Sequence, residues 1–211
     1  MVGPETLETI VRSLWISGTA TALATLWSIP LAYAMALRER AIVVEAVVET
    51  MVGMPTVLLG LLLYFLLSSS GPLAPLRLLY TPTAIVLGET ILVTPLMIST
   101  CYRGVREAVR ELRELGLSLG ASDTQLLRLY IGETLPTMVA SIVMGFSRAV
   151  GELGIALMVG GNIAGYTRTM TTAIALNVSR GEFEEAAVLG LFLLLVMVAT
   201  SLAIKVVGRR G

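Results

Sequence analysis

Five apolar stretches, at about residues 14–37, 51–67, 83–102, 135–159 and 185–207, dominate the 211-residue sequence. A bilayer core takes about 20 predominantly apolar residues per helix, so each stretch reads as one crossing. Composition agrees: 55% of residues are apolar and 14% charged, against roughly 25% charged in an ordinary soluble domain. A soluble fold of this length would lack the polar residues to cover its surface. The expected fold is an all-α polytopic membrane protein forming one domain over residues 1–211. The first stretch is too long, and too poor in preceding positive charge, for a cleaved signal peptide. Residues 170–178 are too short to cross and read as a helix at the surface or re-entering the membrane.

The basic residues orient the chain. The segments after spans one and three, with the C-terminal tail, hold ten: Arg38, Arg40, Arg103, Arg106, Arg110, Arg113, Arg128, Lys205, Arg209 and Arg210. The other side holds four: Arg12, Arg77, Arg168 and Arg180. Basic loops stay in the cytoplasm, which puts the N-terminus outside and the C-terminus inside, as an odd number of crossings requires.

Scarce residues exclude several chemistries. With no histidine, imidazole catalysis and His-ligated metals are out, and no acidic pair has metal-ligand spacing. Cys101 is the single cysteine, so neither an internal disulfide nor a CxxC pair can form. The only lysine, Lys205, lies in an apolar run, so there is no Walker A loop to hold nucleotide phosphates. Fifteen basic and fifteen acidic residues balance, which argues against a nucleic-acid partner bound through bulk charge.

The longest polar segment, residues 103–134, carries an apolar stripe at helical spacing: Val105, Ala108, Val109, Leu112, Leu115, Gly116 and Leu119. Gly120 stands where a helix end needs a left-handed backbone. Ser122 and Gln125 have the spacing of a capping box for a second short helix. Leu135-Pro136 then restarts the chain as span four, with proline in a first turn. Either the segment is a solvated connector or, since such connectors are usually short, it is a docking element.

Glu114-Leu115-Gly116-Leu117-Ser118-Leu119-Gly120-Ala121-Ser122 followed by Leu135-Pro136 resembles the cytoplasmic "EAA" loop of ABC importer permeases, with Leu115 and Gly116 replacing its two alanines. Residues 146–154 and 160–169 resemble the oxyanion importers for molybdate, tungstate and sulfate. Residues 79–84, 170–176 and 180–183 are most similar to the tungstate permeases. The resemblance runs from about residue 8 to 205. It implies that residues 103–134 carry the coupling helix, with Glu114, Gly116, Leu119, Gly120, Ala121 and Ser122 engaging an ATPase subunit. It further implies two ABC ATPase subunits that use ATP and Mg, an extracytoplasmic solute-binding protein, and no cofactor or metal in this chain. One coupling loop per chain and two ATPases imply a homodimer with the path at its two-fold interface, in the plasma (inner) membrane.

Ionisable groups at membrane depth cost roughly 2.5–3.5 kcal/mol each and point to function. Arg148 and Glu152 share a helix face, four residues apart, and Glu89 lies in span three. The pair either neutralises itself and fixes packing or lines the translocation path. Ser147, Asn162, Thr167 and Thr169, with Thr171 and Thr172, either serve an oxyanion at the outer gate or cap helices and turns. Gly160-Gly161-Asn162 reads as a turn, since glycine and asparagine tolerate positive φ. Two functions compete: an ATP-driven oxyanion importer working by alternating access, and a stand-alone secondary carrier driven by an ion gradient. No internal repeat favours the carrier. A membrane-embedded enzyme is disfavoured by the missing histidine.

Overall fold

The computed structural model describes residues 4–38 and 42–208. Glu39, Arg40, Arg209 and Arg210, which contribute to the basic loops and tail, lie outside them. Helix α1 (Pro4–Ala36) begins ten residues before the apolar stretch does. Its polar start stays helical because hydroxyls turn inward. Thr9 donates to the Glu5 carbonyl at 2.9 Å, Ser13 to Thr9 at 2.8 Å and Thr21 to Ser17 at 2.8 Å. These i−4 bonds satisfy the hydroxyls of buried side chains.

The second span is not straight. Helices α2 (Ile42–Val52) and α3 (Thr56–Leu67) meet at a 97° bend over Gly53-Met54-Pro55. Pro55 has no N–H and its ring excludes Met54 from the α region, so the helix must stop there. At 1.5 Å per residue, α3 is about 18 Å long and cannot cross the roughly 30 Å core alone. Glu45 and Glu49 on α2 face α4: the Tyr102 hydroxyl donates to Glu45 at 3.1 Å and Arg103 pairs with Glu49 at 3.4 Å.

After a 3₁₀ turn (Ala74–Leu76), α4 (Pro82–Ser118) and α5 (Asp123–Val150) form one long hairpin. Residues 103–134 therefore contain no separate helices: they are the overhanging ends of two spans. At about 56 and 42 Å, both outrun the bilayer core. Pro136 lies inside α5 rather than restarting it. Membrane helices tolerate an interior proline because neighbours compensate the lost backbone bond.

The fourth span is also corrected. It ends at Val150, and after Gly151-Glu152-Leu153 a short helix α6 (Gly154–Gly160) begins. Next come α7 (Met170–Arg180), the short helix expected there, and α8 (Phe183–Gly208), which matches the fifth stretch closely. Among the described residues, four helices are individually long and apolar enough to cross, and the bent α2–α3 pair makes a fifth span if counted as one.

Helix α4 is the spine, with α1 packed along it and α6 wedged between α3 and α4. The wedge needs Gly88: a Cβ there would lie 2.4 Å from Ile155 Cγ2. One apolar cluster (Tyr33, Val48, Tyr102, Val105, Leu126, Tyr130) joins the end of α1 to the overhanging hairpin. A second (Ile16, Leu63, Ile85, Ile155, Val159) holds α6. The starts of α1 and α8 line a common cleft, so both run from that end of the bundle toward the hairpin tip.

Candidate functional site

The sequence candidates fall into two groups at different heights in the bundle. The first is the α4–α5 tip. Gly120 has φ +78°, its N–H donates to the Leu117 carbonyl at 3.0 Å, and the Ala121 N–H reaches Gly116 at 2.9 Å. This bond pair is a Schellman motif, which terminates α4. Ser122 opens α5, its N–H donating to Gln125 Oε1 at 2.8 Å. The capping box expected from the sequence is present.

The apolar stripe divides at the tip. Val105 and Ala108 are buried, Gly116 is covered by the Leu126 side chain, and Val109 and Leu112 lean on the core. Beyond them Leu115, Leu117 and Leu119 are 58%, 51% and 79% exposed, with Glu114 exposed beside them. Burying a leucine stabilises by about 1.5–3 kcal/mol, so three exposed leucines on one rigid turn are a large unused contact surface.

The second group surrounds the α5–α6 break. Arg148 Nη1 donates to Glu152 Oε2 at 2.8 Å; the Glu152 side chain is 2% exposed and that of Arg148 39%. Glu152 Oε1 accepts the Ile155 N–H at 3.1 Å and so caps α6. The Glu152 carbonyl accepts the Thr171 hydroxyl at 2.7 Å, tying α7 to the same point. Glu152 is therefore both the counter-ion of Arg148 and the joint of three helices. Glu89 is buried on α4, and its Oε2 has no hydrogen-bond partner among the described residues.

The predicted outer hydroxyls and Asn162 are committed to the fold. Thr167 is fully buried, donates to the Gly160 carbonyl at 2.6 Å and accepts from the Ile163 N–H at 2.9 Å. Thr169 caps α7 in a box with Thr172, whose hydroxyl accepts the Thr169 N–H at 2.9 Å. Asn162 has φ +51° beside Gly161 at +71°, and its Oδ1 accepts from Arg168 Nε at 3.2 Å. Of the outer candidates, Ser147 lines a groove, together with Arg148.

Sequence reasoning missed two partners. Ser13 accepts the Met170 N–H at 2.7 Å, and Arg168 pairs with Glu5 at 3.0 Å; both stitch the start of α1 to the α6–α7 connection. A partner 157 positions away leaves no local signal. Thr200 and Ser201, which share the Arg148 groove, lie in the apolar run of the fifth stretch and carry no motif that marks them.

A protein-family model described as "Binding-protein-dependent transport system inner membrane component" matches residues 19–210. The chain is 36% identical over 203 residues to the tungstate uptake system permease protein TupB of Peptoclostridium acidaminophilum, covering 95% of this chain and 89% of that one. It is 34% identical over 205 residues to a probable anion ABC transporter permease protein of Haloferax volcanii, covering 94% and 87%. Among solved structures, a crystal structure of an amino acid ABC transporter with histidines superposes with a TM-score of 0.70, over 99% of this chain and 94% of that one. Its 16% identity speaks for the fold alone.

Proposed function

Because the chain belongs to the family of inner-membrane components of binding-protein-dependent transport systems, we propose that it is the membrane-spanning permease subunit of an ATP-driven oxyanion importer, with tungstate as its anion. The observation that carries the mechanical part is the α4–α5 tip. A helix pair longer than the membrane is thick ends in a fixed turn with three exposed leucines, far from the charged groups around the α5–α6 break. Such a tip suits a groove on a partner whose movement must be transmitted inward along α4 and α5.

In this reading the tip, with Glu114, Gly116, Leu119, Gly120, Ala121 and Ser122, lies in the cytoplasm. The C-terminus is on the same side and the N-terminus is outside. Two copies form the permease, and each tip engages one of two ATPase subunits, which hold ATP and Mg; this chain is the translocation subunit. A solute-binding protein delivers the anion to the end formed by the starts of α1 and α8 and the α6–α7 connection. Selection among tungstate, molybdate and sulfate falls largely to that protein. Arg148 at membrane depth is only partly covered by its own chain. It needs water or a second copy beside it, since exposure to lipid would cost about 2.5–3.5 kcal/mol.

The test is co-purification. The tagged permease, extracted from its native membrane, is expected to bring down a Walker-type ATPase. Leu117→Asp with Leu119→Asp should lose that partner without loss of the folded permease. Undiminished recovery of the ATPase with the double variant would refute the docking assignment.

A further inference from the structure

The groove of about 420 Å³ between α4, α5 and α8 is lined by Leu96, Met144, Ser147, Arg148, Thr200 and Ser201. Resting on the permease reading above, we propose that this groove is a transient binding site for a tetrahedral oxyanion on its way through the membrane.

Three observations support the proposal. A guanidinium carries five N–H donors in a planar fork, and only one bond, Nη1 to Glu152, engages Arg148 among the described residues. The remaining donors belong to a side chain that is 39% exposed and lines the groove. Ser147 and Ser201, on different helices, bring hydroxyls with no protein partner among the described residues, while Thr200 donates to the Met197 carbonyl at 2.8 Å. Fork and hydroxyls together match the acceptor oxygens of a tetrahedral anion.

The charge balance sets the strength. Glu152 is buried behind Arg148 and does not line the groove, so the site offers N–H and O–H donors around a neutralised pair. A site on a transport path must bind firmly enough to be entered and weakly enough to be left, and a bare arginine would hold a dianion too long. The Thr167 and Thr169 hydroxyls, already bonded within the fold, cannot provide this contact without breaking helix caps.

The chain's own chemistry supplies the assay. Cys101, the only cysteine, is fully buried and serves as an unreactive background. Ser147→Cys and Ser201→Cys are introduced separately into the assembled transporter in liposomes and treated with a charged methanethiosulfonate, at rest and with ATP hydrolysis trapped. Only a water-reached thiol reacts. Both cysteines are expected to react in at least one state, and millimolar tungstate should slow them several-fold where chloride of equal ionic strength does not. Arg148→Lys, which keeps the charge but loses the fork, should weaken that protection. Reaction at neither position in either state, or reaction without protection, would overturn the site. A phospholipid headgroup carries the same oxyanion chemistry. If phosphatidylglycerol in the liposomes blocks the cysteines and tungstate does not, the groove belongs to lipid and the proposal fails. ATP-driven uptake by the unmodified transporter separates the two readings. Uptake without protection removes the site alone, whereas failure to take up any oxyanion removes the permease reading and the site with it.

Discussion

The Arg148–Glu152 pair makes an asymmetric prediction, because its members differ in burial. The Glu152 side chain is 2% exposed and that of Arg148 39%. Arg148→Met leaves a buried carboxylate without its counter-ion, a change that costs about 3–5 kcal/mol. Glu152→Gln keeps an oxygen for the Ile155 N–H and leaves a guanidinium that water can partly reach, so screening reduces its cost to about 1–2 kcal/mol. In a chain of this size each kcal/mol lowers the melting midpoint by about 2–4 °C. The expected losses are about 6–20 °C for Arg148→Met and about 2–8 °C for Glu152→Gln. The double variant should be less damaged than Arg148→Met, since it leaves no uncompensated charge. Cys101 reports the transition directly: fully buried when folded, it reacts with a fluorogenic thiol dye on unfolding. Equal costs for the two single variants, or a double variant that sums them, would refute the pairing and the burial argument together.

Three further outcomes follow from local geometry. Gly120→Val forces a left-handed backbone on a β-branched residue at about 1–2 kcal/mol, with nothing within 4 Å to clash. It should slow uptake relative to ATP hydrolysis by far more than its modest fall of about 2–8 °C in the melting midpoint explains, as paired uptake and phosphate-release assays would register. Gly88→Ala pushes a methyl to 2.4 Å from Ile155 Cγ2 and should cost about 1–3 kcal/mol by overpacking, read as a lower melting midpoint. Ser13→Ala strands the buried Met170 N–H and should cost about 1–3 kcal/mol, with faster hydrogen exchange at the start of α7 than elsewhere.

Much of this molecule was legible because membranes make sequence patterns literal. A helix in lipid needs a long apolar run, so four crossings read directly from hydropathy, and a left-handed helix end needs a residue such as Gly120. The i,i+4 spacing of Arg148 and Glu152 likewise pointed to a pair that the structure contains. Where the reading failed, averaging hid a local event. Apolar flanks masked the stops at Pro55 and at Gly151-Glu152-Leu153, although Pro55 carried its own signal. Pro136 drew attention as a helix start, yet the helix runs through it. The fates of Thr167 and Thr169 were illegible in another way. A threonine beside a turn looks the same whether it caps a helix or greets a ligand, and only tertiary placement decides.

As the permease subunit proposed above, this chain moves an oxyanion only when partners supply delivery and energy. The most direct test is tungstate uptake into liposomes holding the purified permease, with or without its ATPase, the solute-binding protein and ATP, and with no ion gradient. Uptake is expected only when all components are present, and none from the permease alone even under an imposed proton or sodium gradient. Gradient-driven uptake by the permease alone, indifferent to ATP, would contradict this and make the chain a secondary carrier.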